Sequence, residues 1–343
     1  MTEFNQLLQK LLQIKDEIGA RLFNPPQLRA KAERNMQWLA GNLVGVGVGA
    51  KIKDGRIQDK PALTAFVRAK LPPKAVGDFL FTTQLKGLGV DLTENETDVV
   101  EVGTLNSMGG PEGPVNQLTV GADVSIAGRE IHGTICAFVK RRDCEREIFL
   151  LSSGHVLDGR GGLFKFVASR GAVVAEIADP KDQGTLLQGF GSPDYPQLDG
   201  VIARLVQGVA PNFRLPSHFG RLSREPVPAT VGMSVKKAGK TKREGDVYWP
   251  DVSVMIDYPT QTCIVEHQIL VLSKDKNFFA QEGDSGSLVI QKQDDRSFAV
   301  GMVIAAGSPA RLGGDSDELL PCFTVVTPMD TLLKAFNARL EVD

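Results

Sequence analysis

The stretch QEGDSGSLVI, residues 281–290, decides how the rest of the chain is read. Either Ser285 is an acyl-transfer nucleophile, or it is an ordinary serine in a glycine-rich turn that leads into a strand. A Gly-Asp-Ser-Gly tetrapeptide has roughly a 1% chance of arising somewhere in a chain of this composition, which suggests the first reading without deciding it. A nucleophile also needs a base, an acid that orients the base, and a scaffold to hold all three.

Histidine is the side chain suited to take a proton near neutrality. The chain has four: His132, His155, His218 and His267. A lone histidine is ordinarily a hydrogen-bonded structural or surface residue. His155 differs because it ends the apolar run of FLLSSGHVLDG, with small residues before it and a turn after it. That context delivers an imidazole to the rim of a sheet. His132 lies at a strand edge, His218 in a proline-flanked loop, and His267 alternates with apolar residues in IVEHQIL. The orienting carboxylate is best supplied by Asp199, which stands immediately before the alternating strand of PQLDGVIARL. Asp194, in SPDYP, is the alternative, but no strand holds it.

From about 118 to 326 the chain is a series of short β-branched runs separated by turns, among them GTICAFV, REIFLLSS, VSVMIDY, GSLVIQ, FAVGMVIAAG and CFTVVT. This pattern predicts an all-β sandwich or barrel. The ending TPMDTLLKAFNARLEV predicts a helix with Thr327 as N-cap, Pro328 in the first turn and Asp330 three residues past the cap. At the other end, Phe4, Leu7, Leu8, Leu11, Ile14, Ile18 and Leu22 recur at helical spacing and predict an amphipathic helix. Next come two strand-like runs joined by a turn at Asp54-Gly55, a further strand in TDVVEVG, and the linker-like NSMGGPEGPVNQ. The expected division is a helical segment at 1–39, a small α+β region at 40–104, a linker at 105–117, and a β domain with its terminal helix at 118–343.

Taken together and in this order, SSGHV, LDGVIARL and GDSGS resemble the histidine, aspartate and nucleophile segments of chymotrypsin/trypsin-fold serine peptidases. GMVIAAG, 301–307, resembles the strand of that family that pairs with substrate backbone. The resemblance spans about 118–340. It implies a mainly β fold of two six-stranded antiparallel barrels with a C-terminal helix, preceded here by the N-terminal helix and the small α+β region. A looser likeness is to the intracellular trypsin-like proteins of the plant NARROW LEAF type and their bacterial relatives, carried by VGVGVGAKIKDGRI, ALTAFVRAKLP and VGMSVKKAGKTKREGDV.

The family resemblance implies roles for each residue. Ser285 attacks a carbonyl carbon, His155 takes its proton and returns it to the leaving amine, and Asp199 orients His155. The backbone N–H groups of Gly283 and Ser285 form an oxyanion hole, where the loss of one donor costs roughly 10²–10³ in rate. Ile304, Ala305 and Ala306 pair with substrate as an added strand. Phe279, six residues before the nucleophile, stands where the fold places the base of the primary pocket. With no acid there, an uncharged residue is the expected preference. Two departures stand out: no activation-cleavage motif precedes the barrel, so Asp284 needs another partner, and Ser287 replaces the commoner glycine.

Composition sets the remaining bounds. Hydrophobic residues make up 42%, charged residues 23%, and the net charge is −2, which implies no electrostatic pull toward nucleic acid or an anionic membrane. The start of the chain does not read as a signal peptide, and Cys136, Cys144, Cys263 and Cys322 show no paired framework. A cytoplasmic protein with reduced thiols is expected, self-associating through its N-terminal helix and acting on protein or peptide. No cofactor or metal is expected, since neither His-Glu-x-x-His nor a Cys/His cluster is present. Ser316 in LGGDSDELL lacks the following glycine and strand. Gly239-Lys240-Thr241 lacks the earlier glycine of a phosphate loop, and the surrounding charge run reads as a solvated face. The alternating Gly45, Gly47 and Gly49 fit a close-packed strand. Two other functions compete with a peptidase: a latent or weak scaffold on the same fold, and an esterase of unrelated fold. The order His-Asp-Ser argues against the esterase.

Overall fold

The computed structural model describes residues 3–23, 42–53, 56–70, 80–102, 105–106, 118–127, 131–157, 165–169, 172–186, 189–190, 197–238, 243–258, 261–274, 278–307 and 323–342. Period-two burial drives most of its architecture. In the strand Arg243–Tyr258, for example, Val254, Ile256 and Tyr258 are buried while Met255 and Asp257 between them are partly exposed. The Ser316 and Gly239–Thr241 segments, Asp194, Cys322 and the Asp54-Gly55 turn lie outside the described residues.

Six strands close into a ring. Arg243–Tyr258 pairs with Gln261–Ser273, which pairs in turn with Phe323–Pro328, Arg296–Gly307, Leu288–Gln293 and Ser234–Ala238; the last returns to Arg243–Tyr258. Every neighbour in the ring is antiparallel, as expected for one of the two barrels. The other half is an eight-strand antiparallel ladder in the order 338–340, 137–141, 144–152, 201–205, 172–177, 165–169, 123–126, 132–134. Its two end strands are not paired with each other among the described residues, so it departs from a closed six-stranded count. Val156, Leu157, Leu198, Val201 and Ile202 of this half share one core with Trp249, Ile256, Leu288 and Ile304 of the ring.

The expected small α+β region does not stand apart as its own sheet. Its hairpin, Leu43–Lys53 with Arg56–Val67, adds to the ring strand Arg243–Tyr258, and Thr97–Glu101 extends it in parallel. The alternating glycines explain the close approach. A side chain at Gly47 would meet Val252 Cγ1 at 2.2 Å, and one at Gly49 would meet Trp249 Cδ1 at 2.1 Å. On the other face of this hairpin the helix Glu3–Phe23 buries Leu11 and Ile18 against Val46, Val48, Leu63 and Ala65. Burying such a side chain contributes about 1.5–3 kcal/mol. The helix also buries Lys15, which pairs with Asp16 at 3.2 Å and with Asp251.

The C-terminal end corrects two expectations. Thr327 does not cap the last helix, because its hydroxyl donates to Gln268 Oε1 at 2.7 Å; Pro328 occupies the cap position and makes no side-chain cap bond. The helix runs only Met329–Ala335. Asn337, in the left-handed region at φ 47°, then turns the chain into the strand Ala338–Leu340, which joins the ladder beside Ala137–Arg141.

Candidate active site

His155 sits in a single helical turn, Gly154–Leu157, directly after the strand Cys144–Ser152. Asp199 is 1% exposed and precedes the strand Val201–Leu205, which pairs with Cys144–Ser152 through Val201 and Ser152. This pairing brings the two ends together. The His155 backbone N–H donates to Asp199 Oδ1 at 2.9 Å, and His155 Nδ1 lies 2.7 Å from Asp199 Oδ2. A carboxylate only accepts, so Nδ1 carries the hydrogen and Nε2 holds the lone pair. Nε2 is buried with no hydrogen-bond partner among the described residues. Gly154 permits the approach, since a side chain there would come within 3.1 Å of Asp199 Oδ1.

The loop that carries Ser285 rests on the ring but is fastened to the ladder. Gly283 and Gly286 have φ of 92° and 90°, conformations that favour glycine on either side of Asp284-Ser285. Thr134 N–H donates to the Ser285 carbonyl at 2.8 Å, and Thr134 Oγ1 donates to the Gly283 carbonyl at 2.7 Å. Gly133 lies between the His155 and Ser285 segments. A side chain there would meet Val156 Cγ2 at 2.6 Å and the Ser285 carbonyl at 2.8 Å. The Gly283 N–H has no acceptor among the described residues. Ser285 is fully buried.

Asp284 finds the partner that the sequence left open. It forms a buried ion pair with Lys237, a residue of the strand Ser234–Ala238 with no exposed surface. Burial pulls the Lys237 ammonium below its ordinary value, and the Asp284 charge opposes that pull. Asp284 also braces its own loop: its Oδ2 accepts from the Gln281 N–H at 3.0 Å, and its carbonyl accepts from Ser287 N–H at 2.8 Å.

A second unforeseen residue is Tyr258, whose hydroxyl donates to Asp199 Oδ2 at 2.9 Å. Alternation with Val254 and Ile256 marks Tyr258 as inward-facing, but not what it meets. Lys237 is likewise in phase with buried Val235, a signal hidden within what reads as a charge run.

The remaining expected site residues are buried. Phe279 has no exposed surface and packs in the ring interior with Val235, Val247, Ile269 and Val289; a side chain at Gly245 would touch its ring at 2.8 Å. Ile304 and Ala305 are also fully buried, and Ala305 pairs with Val325. Ala306 pairs with Thr324 on one side and with Asn106 of the short strand Leu105–Asn106 on the other. The other histidines lie elsewhere: His132 against Asp123 at 3.0 Å, His218 tilted against its neighbour Phe219, and His267 near Asp251. Asp16, Asp251 and His267 bring ligand-type atoms within 4.8 Å of one another, a grouping that spacing did not reveal, and the Lys15 ammonium already lies against Asp251.

The architecture is mainly β and consistent with a trypsin-like double barrel, with the His-Asp pair on one half and the serine loop on the other. No family model and no curated protein matches the chain. Solved structures of serine proteases are similar at low identity. Cellulomonas bogoriensis chymotrypsin is 21% identical, with 66% of this chain and 100% of that one covered and a TM-score of 0.41. Thermobifida fusca protease A is 16% identical, with coverage of 66% and 100% and a TM-score of 0.43. A glutamic acid-specific serine protease is 18% identical, with coverage of 65% and 100% and a TM-score of 0.43. Among the described residues no helix is long and apolar enough to cross a membrane.

Proposed function

We propose that the protein is a serine endopeptidase in which Ser285, His155 and Asp199 form the catalytic triad. The observation that carries this reading is the double hold of Asp199 on His155, through the backbone N–H and through Nδ1, which presents Nε2 as a base. Nε2 takes the Ser285 hydroxyl proton as Oγ bonds to the substrate carbonyl carbon. The oxygen of that carbonyl gains charge, and the N–H groups of Gly283 and Ser285 receive it. The C–N bond then breaks as Nε2 returns the proton to the leaving amine, and water repeats the sequence on the acyl-enzyme. With no acid at position 279, the preferred primary side chain is uncharged. The peptidase unit is 118–343, the protein works in the cytoplasm, and the N-terminal helix mediates self-association; the looser NARROW LEAF-type likeness belongs to the same reading.

A latent form of the same site is the second reading, favoured by two observations. Ser285 has no exposed surface, and the backbone of Ala306 is already paired with Asn106. The test is a fluorophosphonate probe read by intact mass on the wild type, Ser285→Ala and His155→Ala. Stoichiometric labelling of wild type alone supports the peptidase. Absence of labelling in folded wild type, with labelling restored by removal of residues 1–106, which takes away the strand paired with Ala306, supports the latent form. Failure in both leaves the scaffold reading.

A further inference from the structure

Among the described residues Asp199 accepts three hydrogen bonds, two of them from His155. The third, from the Tyr258 hydroxyl to Oδ2 at 2.9 Å, reaches across from the ring, whereas His155 and Asp199 both belong to the ladder. We propose that Tyr258 is a positioning residue of the triad: its hydroxyl pins Asp199 Oδ2 and thereby sets the plane and proton affinity of the His155 imidazole. This rests on the peptidase reading given above.

Three features support it. The two donors on Oδ2, His155 Nδ1–H and the Tyr258 hydroxyl, share one oxygen, so the Tyr258 donor draws off charge that otherwise holds the imidazole. The Tyr258 and His155 rings lie 5.6 Å apart at 51°, so the phenol also forms a wall against which the imidazole rests. Burial, with the Asp199 charge beside it, keeps the phenol well above its ordinary value, so the hydroxyl remains a donor throughout the range in which a histidine titrates. The titratable groups around it are Asp199 and His155 from the ladder and Cys263 from the adjacent strand Gln261–Ser273. Tyr258 also packs in the shared core, and a purely structural role predicts that the ring alone matters.

Tyr258→Phe in the full chain separates the two roles, because it keeps the ring and deletes the donor. The fluorophosphonate labelling rate is measured against pH in both proteins. The expected result is a fall of about tenfold, the size of one lost hydrogen bond to a charged group. The acid limb of the profile moves to higher pH by roughly half a unit, because a carboxylate with one donor fewer holds the imidazolium more tightly. Equal rates and superimposed profiles overturn the proposal. If Tyr258→Phe does not fold, 3-fluorotyrosine at this position alone, a stronger donor of nearly the same shape, moves the acid limb to lower pH; an unmoved limb overturns the proposal.

If wild type does not label at all, the peptidase reading has failed, and a second measurement still decides this one. The imidazole Nδ1–H proton resonance, assigned by its absence in His155→Ala, shifts or broadens in Tyr258→Phe when the hydroxyl positions Asp199. A resonance unchanged in position and width overturns the role.

Discussion

Asp199 and Asp284 are two carboxylates, each 1% exposed, that the chain satisfies by opposite means. Asp199, on the ladder, is surrounded by donors that carry no permanent charge: a backbone N–H, an imidazole and a phenol. Asp284, in the serine loop, faces the ammonium of Lys237. The difference matches two tasks. A carboxylate held by neutral donors can respond when its histidine gains a proton, and so can take part in a reaction. A carboxylate tied to a buried cation is already neutralised, so it fixes a loop rather than answering to one.

The largest expected effect breaks the first of these. Asp199→Asn keeps the shape but offers an amide N–H toward Nδ1, which favours the wrong histidine tautomer; labelling of Ser285 is expected to fall by about 10⁴, read as the second-order rate with fluorophosphonate. Lys237→Met breaks the second by leaving Asp284 buried without its cation. The expected cost is about 3–5 kcal/mol in urea unfolding, and adding Asp284→Asn is expected to recover most of it. If Lys237→Met alone is neutral, the contrast between the two carboxylates collapses. The smallest effect concerns Asp251, a half-way case with both Lys15 and His267 beside it. The hydrogen bond to Asp251 raises His267 above its ordinary value. A histidine raised on folding stabilises fully below its unfolded value, near 6.5, and loses that contribution as pH rises through its folded value. The Tm of wild type is therefore expected to drop slightly between pH 6 and pH 8, and that drop to flatten in His267→Asn. Asparagine tolerates the left-handed backbone at φ 55° that this position adopts.

What could be read from the sequence follows the range of the forces involved. Ser285 between two glycines, His155 at a strand end and Asp199 before a strand are local signals, and the structure brings His155 and Asp199 into contact and sets the Ser285 loop beside them. Tyr258 and Lys237 escaped because their roles lie in partners 59 and 47 positions away. Their alternation with buried valines showed that they face inward, but not that each meets a carboxylate. Thr327 was misread for the same reason: the local cap pattern was present, but Gln268 across the sheet captured the hydroxyl. The hairpin at 43–67 carried its own strand signal, yet nothing local revealed that it would extend the ring rather than form a separate sheet.

The ion pair in the serine loop has a consequence in time. Lys237 is synthesised 47 residues before Asp284, on a strand that pairs with the strand following the loop. The cation that neutralises Asp284 is thus carried by a strand of the same ring, and the pairing of that strand with Leu288–Gln293 is what brings the ammonium to the loop.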